Sequence, residues 1–377
     1  MSLAPGKRVG KLPPYLFVEI DKKKKAALAR GVDIINLGVG DPDQPTAPHI
    51  VQAMQAAVAK PAHHQYPFGS GLPEFRRAVA QWYGTRFGVT LDPDTEVHAL
   101  LGSKEGLGHI TLAYCDPGEV VLVPEPGYPV YGNSTILAGG RPHLMPLRAE
   151  RDFLPDLSDV APRVLSMARL MFLNYPNNPT AATAGLEFFE QVVAYAKKHH
   201  IVVVHDAAYS ELYFDDKPPH SFLEVKGAKA VGVEMHSCSK TYSMTGWRIG
   251  FAVGNAEVLK ALSQVKDNFD SGVFGAAQEA AIAALTGPQD CVVQARKMYQ
   301  ERRDTLVLGL TKLGWQVHLP RATFYVWTKV PGGKSVAAAS RILDEAGVVC
   351  TPGIGFGPSG EGYLRFALTQ SVSHIQE

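Results

Sequence analysis

Three uninterrupted apolar runs, Val120-Val-Leu-Val123, Leu170-Met-Phe-Leu173 and Ile201-Val-Val-Val204, constrain this chain more than any other feature. None alternates polar with apolar residues, so strands formed from them would bury both faces. Helical segments separate the runs. That order predicts an α/β fold with a mainly parallel central sheet between helices. Val97-His-Ala-Leu-Leu101 runs into Gly102-Ser103-Lys104-Glu105-Gly106 and a helix, and residues 250–254 close the region before a long helical stretch from Ala256.

A chain of 377 residues exceeds what one core usually holds. Residues 46–285 read as the large domain, and 286–377 as a smaller α/β domain. The latter has a helix over 292–313, strands in Trp315-Gln-Val-His-Leu319 and Thr323-Phe-Tyr-Val-Trp327, a helix near 336–346 and a strand ending at Leu364-Arg365-Phe366. Residues 1–45 read as an arm that joins the small domain. They hold Pro13-Pro14-Tyr15-Leu16-Phe17, a helix whose Lys22-Lys-Lys-Lys25 run forms a solvated face, and a short strand at Asp33-Ile-Ile-Asn-Leu37. Turn formers follow in Gly38-Val-Gly40-Asp41-Pro42-Asp43, then a helix over 48–60 and a loop over 63–71.

A net charge of +1 with 19% charged residues argues against a nucleic-acid or membrane surface. Cys115, Cys238, Cys291 and Cys350 are scattered, so neither a disulfide framework nor a zinc site is indicated. No signal peptide or membrane-length apolar window is visible, which predicts a cytoplasmic protein. The pairs His63-His64 and His199-His200 do not converge as metal ligands do, so no metal is expected.

The chemistry concentrates in Ser237-Cys-Ser-Lys240-Thr-Tyr-Ser-Met-Thr-Gly246-Trp-Arg248. It lies between two apolar runs. A lysine there must be paired or lose its proton, and a neutral lysine suits Schiff-base chemistry. The serines and Arg248 beside it suit a phosphate, so a phosphorylated aldehyde, pyridoxal 5′-phosphate (PLP), is expected. In Val202-Val-Val-His-Asp206-Ala-Ala-Tyr209 an acid ends a buried strand, where open α/β sheets bind ligands. Such an aspartate can hold a ring nitrogen cationic. Gly102-Ser103-Lys104 opens a helix, and helix N-termini attract phosphate. Asn174-Tyr-Pro-Asn-Asn178-Pro179-Thr180 reads first as a turn.

With Asn178-Pro179-Thr180, Asp206-x-x-Tyr209 and Ser237-x-x-Lys240-x7-Arg248 in this order, the sequence resembles the fold-type-I PLP enzymes of the class I/II aminotransferases over nearly its whole length. The resemblance implies that Lys240 carries the cofactor and then acts as general base and acid. Asp206 would pair with the pyridine nitrogen, and Asn178 and Tyr209 with the phenolic oxygen. Ser103, Lys104 (through backbone N–H), Ser237 and Arg248 would hold the phosphate, and Tyr128 would stack on the ring. Tyr66 would reach the phosphate of a neighbouring subunit, which implies a homodimer with shared sites. Arg365 would take the substrate α-carboxylate, with Gly40 and Asn178 beside it.

The family usually has glycine where this chain has Ala181, which would strain a turn needing positive φ. The chain ends at Glu377, short for the family, which implies a clipped last helix. Leu37-Gly-Val-Gly-Asp-Pro-Asp43, the Pro13 arm and Leu101-Gly-Ser-Lys-Glu-Gly106 are similar to a subgroup containing LL-diaminopimelate aminotransferases, with 2-oxoglutarate as the partner acid. Tyr15, Lys104 and the 66–70 loop of a second subunit are the candidate sources of side-chain recognition. Aspartate or alanine transamination is the alternative, followed by a C–S β-lyase of the same fold. A PLP-binding regulator would need a helix-turn-helix extension that the short arm does not supply.

Overall fold

The computed structural model describes residues 3–13 and 16–377. Its strands are β1 (Ile35–Asn36), β2 (Val97–Leu100), β3 (Val120–Glu125), β4 (Arg141–Pro146), β5 (Ala168–Asn174) and β6 (Val202–Asp206). They continue with β7 (Gly232–Ser237), β8 (Gly250–Gly254), β9 (Tyr325–Lys329), β10 (Val348–Val349), β11 (Thr351–Pro352) and β12 (Tyr363–Ala367). Seven of them form the large sheet in the order β2-β8-β7-β6-β5-β3-β4. From β7 to β4 every neighbouring pair is parallel, and β8 runs antiparallel to both β7 and β2. The mainly parallel α/β sheet expected from the apolar runs is therefore present.

Alternation along the strands divides the core. Leu122, Met171, Leu173 and Val203 face one apolar layer with Phe189 and Phe222, all fully buried. Val121, Leu170, Phe172 and Val204 face the other with Leu107, Ile110 and Tyr131. Burying each large side chain contributes roughly 1.5–3 kcal/mol, so these two layers fix which face each strand residue presents. His205 thus points one way and Asp206 the other. Asn174, Asp206 and Ser237 all lie at carboxyl ends of parallel strands, the edge where such sheets bind ligands.

The rest of the chain builds the opposite wall. β1 pairs parallel with β10, and β9, β12 and β11 form an antiparallel sheet. The helix Leu16–Ala29 packs through Ile20 and Ala27 against Leu343 and Val349. Lys24 and Lys25 pair with Asp21 on that helix, as a solvated lysine face should.

Two local expectations change, and one strand is added. The 315–319 segment makes one bridge, Val317 to Thr328, and is no strand. The long helix from Ala256 is two, Ala256–Phe269 and Gly275–Thr286, because Ser271 and Gly272 take positive φ between them. β4 carries two prolines and reads poorly as a strand, but it is a sheet edge, where a missing N–H is tolerated.

Candidate active site

At the carboxyl ends of β5, β6 and β7, a cavity of about 420 Å³ opens between the large sheet and the β9–β11–β12 side. Gly40, Ser103, Lys104, Tyr128, Asn178, Asp206, Tyr209, Ser237, Lys240, Arg248 and Arg365 all line it. They come from segments spread over more than 300 positions, so the fold gathers what the sequence scatters.

Lys240 sits in the one-turn helix Cys238–Thr241, whose N-cap Ser237 accepts from Ser239 N at 3.2 Å. Its Nζ donates to Gly40 O at 2.8 Å. Burial pushes the ammonium down to about 8, Asp41 opposes, and Arg365 and Arg248 add to the depression. Gly40 is required by close approach: a Cβ there would lie 1.9 Å from the Tyr325 hydroxyl.

On the basic side, Arg248 is held in left-handed conformation (φ 54°) and donates to Thr245 O and Leu101 O at 2.8 and 3.1 Å. Gly102 leaves room for it, since a Cβ would come within 2.6 Å of Nη2. The helix Ser103–Tyr114 starts beside it, so its first backbone N–H groups lie at the same corner as the Ser237, Ser239 and Thr245 hydroxyls.

At the far end Asp206 is buried. Burial raises its pKa, while hydrogen bonds from Tyr131 Oη (2.8 Å to Oδ2) and Ala208 N (3.3 Å to Oδ1) pull it back. Asn174 Nδ2 donates to Asp206 O at 2.8 Å, and its Oδ1 accepts from Asn178 N at 2.8 Å, so one side chain ties the strand end to the Asn178 turn. Within that turn Ala181 has φ 61°, the positive value that glycine would take without strain.

Arg365 is fully buried, and burial lowers its pKa from the usual guanidinium value. Nη1 donates to Asn178 Oδ1 at 2.8 Å and Nη2 to Gly38 O at 2.9 Å. Its guanidinium lies 4.1 Å from the Tyr325 ring centroid, and the Tyr325 and Tyr209 hydroxyls are 3.1 Å apart. Asn178 Oδ1 already accepts from Arg365, which leaves its amide NH₂ and one carbonyl lone pair for a ligand.

Two of the expected site residues are not among those lining the cavity of the single chain. Tyr66 does not line its own chain's cavity; it is 76% exposed and stacks on Phe68. Tyr15 lies outside the described residues. Conversely, the structure adds Asn174, Tyr131 and Tyr325, which hydrogen-bond to site residues. Asn174 opens the quoted Asn-Tyr-Pro-Asn-Asn motif at a strand end, a usable signal, whereas the two tyrosines look like core.

The cysteines and the paired histidines lie outside the cavity lining. No cysteine forms a disulfide, and burial pushes the Cys238 and Cys350 thiols up to about 12. His63 pairs with Glu279 and His64 with Val58 O, so that pair diverges. Among the described residues, Glu105, His109 and Asp270 alone gather metal-ligand atoms, but Lys266 Nζ already sits 3.0 and 3.1 Å from the two carboxylates. No helix among the described residues is long and apolar enough to cross a membrane.

Comparison with known proteins gives the family and the fold. Residues 32–376 match the family model described as aminotransferase class I and II. An LL-diaminopimelate aminotransferase of Desulforudis audaxviator is 54% identical, covering 100% of this chain and 96% of the relative. One of Moorella thermoacetica is 53% identical, covering 98% and 95%. Among solved structures, substrate-bound BacF of Bacillus subtilis superposes with a TM-score of 0.94 at 40% identity, covering 100% of this chain and 98% of that one. A probable N-succinyldiaminopimelate aminotransferase of Thermus thermophilus gives 0.91 at 36%, covering 96% and 97%.

Proposed function

The chain belongs to the class I and II aminotransferases, and from that premise we propose that it works with PLP on LL-diaminopimelate, with 2-oxoglutarate as the partner acid. The enzyme transfers an amino group between an amino acid and a 2-oxo acid. The observation that carries the cofactor reading is the disposition of charges. A depressed lysine stands between a buried carboxylate and a cationic, hydroxyl-rich corner at a helix N-terminus. This donor set fits an aldehyde, a basic ring nitrogen and a phosphate in one molecule.

Ser103, Ser237, Arg248 and the first N–H groups of the Ser103 helix, that of Lys104 included, would hold the phosphate. Asp206 would sit against the ring nitrogen, Tyr128 against a ring face, and Asn178 Nδ2 and Tyr209 Oη at the phenolic oxygen. When bound, PLP supplies the electron sink for α-proton removal. The chain does the rest. Arg365 binds the α-carboxylate as a planar, fixed cation, with the Gly38–Gly40 backbone alongside. Lys240, near 8 and so partly neutral at working pH, would take the proton from the substrate α-carbon and return it two bonds away, at the carbon that was the cofactor's aldehyde. Asp206 remains an anion through both steps.

The substrate rests on the relatives at 54% and 53% identity. Lys104, exposed at the cavity wall near Tyr128, is a cation suited to a distal carboxylate. We place the enzyme in the cytoplasm as a homodimer with shared sites. The exposed Tyr66 and Phe68 (76% and 73%) support that assembly. The cavity would lie between a large domain, 46–285, and a small one formed by 1–45 and 286–377, supported by the β1–β10 pairing.

A single-turnover spectrum of the PLP-loaded protein tests this reading. LL-diaminopimelate is expected to convert the carbonyl form of the cofactor to its amine form, with aspartate, alanine and cystathionine far slower. Conversion by aspartate or alanine alone would discard the substrate and keep the transaminase. Pyruvate and ammonia from cystathionine would move the protein to the lyases.

A further inference from the structure

Tyr131 has no place in the reading above, yet it is the side chain that holds Asp206. It lies at 0% exposure on the helix Val130–Ala138, two residues after the Tyr128-Pro pair. Its ring stacks on Phe172 (5.0 Å, 24°) and meets Tyr128 edge-on at 6.0 Å. Its hydroxyl donates to Asp206 Oδ2 at 2.8 Å. Among the described residues, Asp206 Oδ2 has this one protein donor, and Oδ1 has only the longer bond from Ala208 N, 3.3 Å. A buried carboxylate with so few donors tends to take up a proton.

On the cofactor reading just given, we propose that Tyr131 is a positioning residue: its hydroxyl fixes the rotamer of Asp206 and keeps it an anion, so that Oδ1 is presented to the ring nitrogen. Burial and the neighbouring Asp206 raise the phenol far above its ordinary value, so Tyr131 keeps its proton and remains a donor. The geometry divides the labour. Tyr131 occupies one carboxylate oxygen from the helix side and Asn174 holds the Asp206 carbonyl from the neighbouring strand. Without the hydroxyl, Asp206 would compete with the ring nitrogen for the proton between them, and the ring would draw electrons less strongly. The Phe172 stack does not need the hydroxyl, so Tyr131→Phe removes the hydrogen bond and leaves the packing.

The test is equilibrium binding of PLP, and of its 1-deaza analogue with carbon in place of the ring nitrogen, to cofactor-free native protein and Tyr131→Phe. A charged hydrogen bond of this kind predicts about tenfold or greater weakening for PLP and no change for the analogue. kcat should fall by a similar factor with KM for the amino donor unaltered. Thermal melting of the cofactor-free variant checks that the fold is kept. Equal weakening for both ligands would make Tyr131 a packing residue and overturn the proposal, as would native PLP affinity and kcat in the variant. A native protein that binds PLP no better than the analogue would instead strike the Asp206–ring nitrogen reading itself, and this proposal with it.

Discussion

β6 and β7 carry two clusters of buried charge on opposite faces. Behind the sheet, Glu234 is fully buried and accepts five hydrogen bonds: Tyr83 Oη (2.6 Å) and His236 Nε2 (2.7 Å) at Oε1, and His205 Nδ1, Ser221 Oγ and Phe222 N (each 2.9 Å) at Oε2. His205 Nε2 accepts from Tyr175 N, which fixes its Nδ1 as the protonated nitrogen. In front, Asp206, Lys240 and Arg365 line a cavity, and their protein partners are fewer and partly backbone carbonyls. The first cluster is complete within the chain and holds the sheet together. The second is arranged for groups that a ligand brings. Asp206 is buried like Glu234 but accepts only two hydrogen bonds at its carboxylate among the described residues, so internal partners and not burial separate the two acids.

Lys240→Ala should show the largest effect, loss of turnover and of the visible band of the PLP-loaded protein, while the melting temperature of the cofactor-free chain holds. Retained transamination would sink the lysine assignment. Glu234→Ala should do the reverse, costing about 3–5 kcal/mol in denaturant unfolding while the folded fraction stays active. Its donors depress the Glu234 pKa despite burial, so its stability contribution is present above the unfolded carboxylate value, ~4.3, and is lost as pH falls below it. Unfolding curves from pH 7 to 3 should therefore be flatter for the variant than for the native chain. An equally steep acid loss would assign it to other carboxylates.

Arg365→Ala should lower kcat/KM for α-carboxylate substrates by ~2–5 kcal/mol, chiefly through KM. Unchanged steady-state kinetics would remove it from the substrate site. Ala181→Gly is the smallest. Relief of the φ 61° conformation, ~1 kcal/mol, is offset by the chain entropy of glycine, so stability should move by less than ~1 kcal/mol with activity intact. A loss of several kcal/mol would show that the alanine methyl packs in the turn.

What could be read from sequence were residues whose chemistry conflicts with their surroundings. Lys240, Asp206 and Arg365 stand beside apolar runs or turn formers, and a charge there needs a reason. Tyr131 and Tyr325 gave no such conflict, because a tyrosine among apolar residues is ordinary core until its hydroxyl partner is known. Glu234 stands inside the apolar run Ala230-Val-Gly-Val-Glu-Met235 with no local signal, since its partners lie up to 151 positions away.

By itself the sequence determined the buried strands, the mainly parallel sheet and the residue types that line the cavity, because apolar period and charge are local properties. Tertiary structure alone decided which face each residue presents and the break at Ser271. It also decided the edge strand at Arg141–Pro146 and the Tyr131–Asp206 and Arg365–Asn178 bonds. Those depend on contacts between distant segments, which no window of sequence contains.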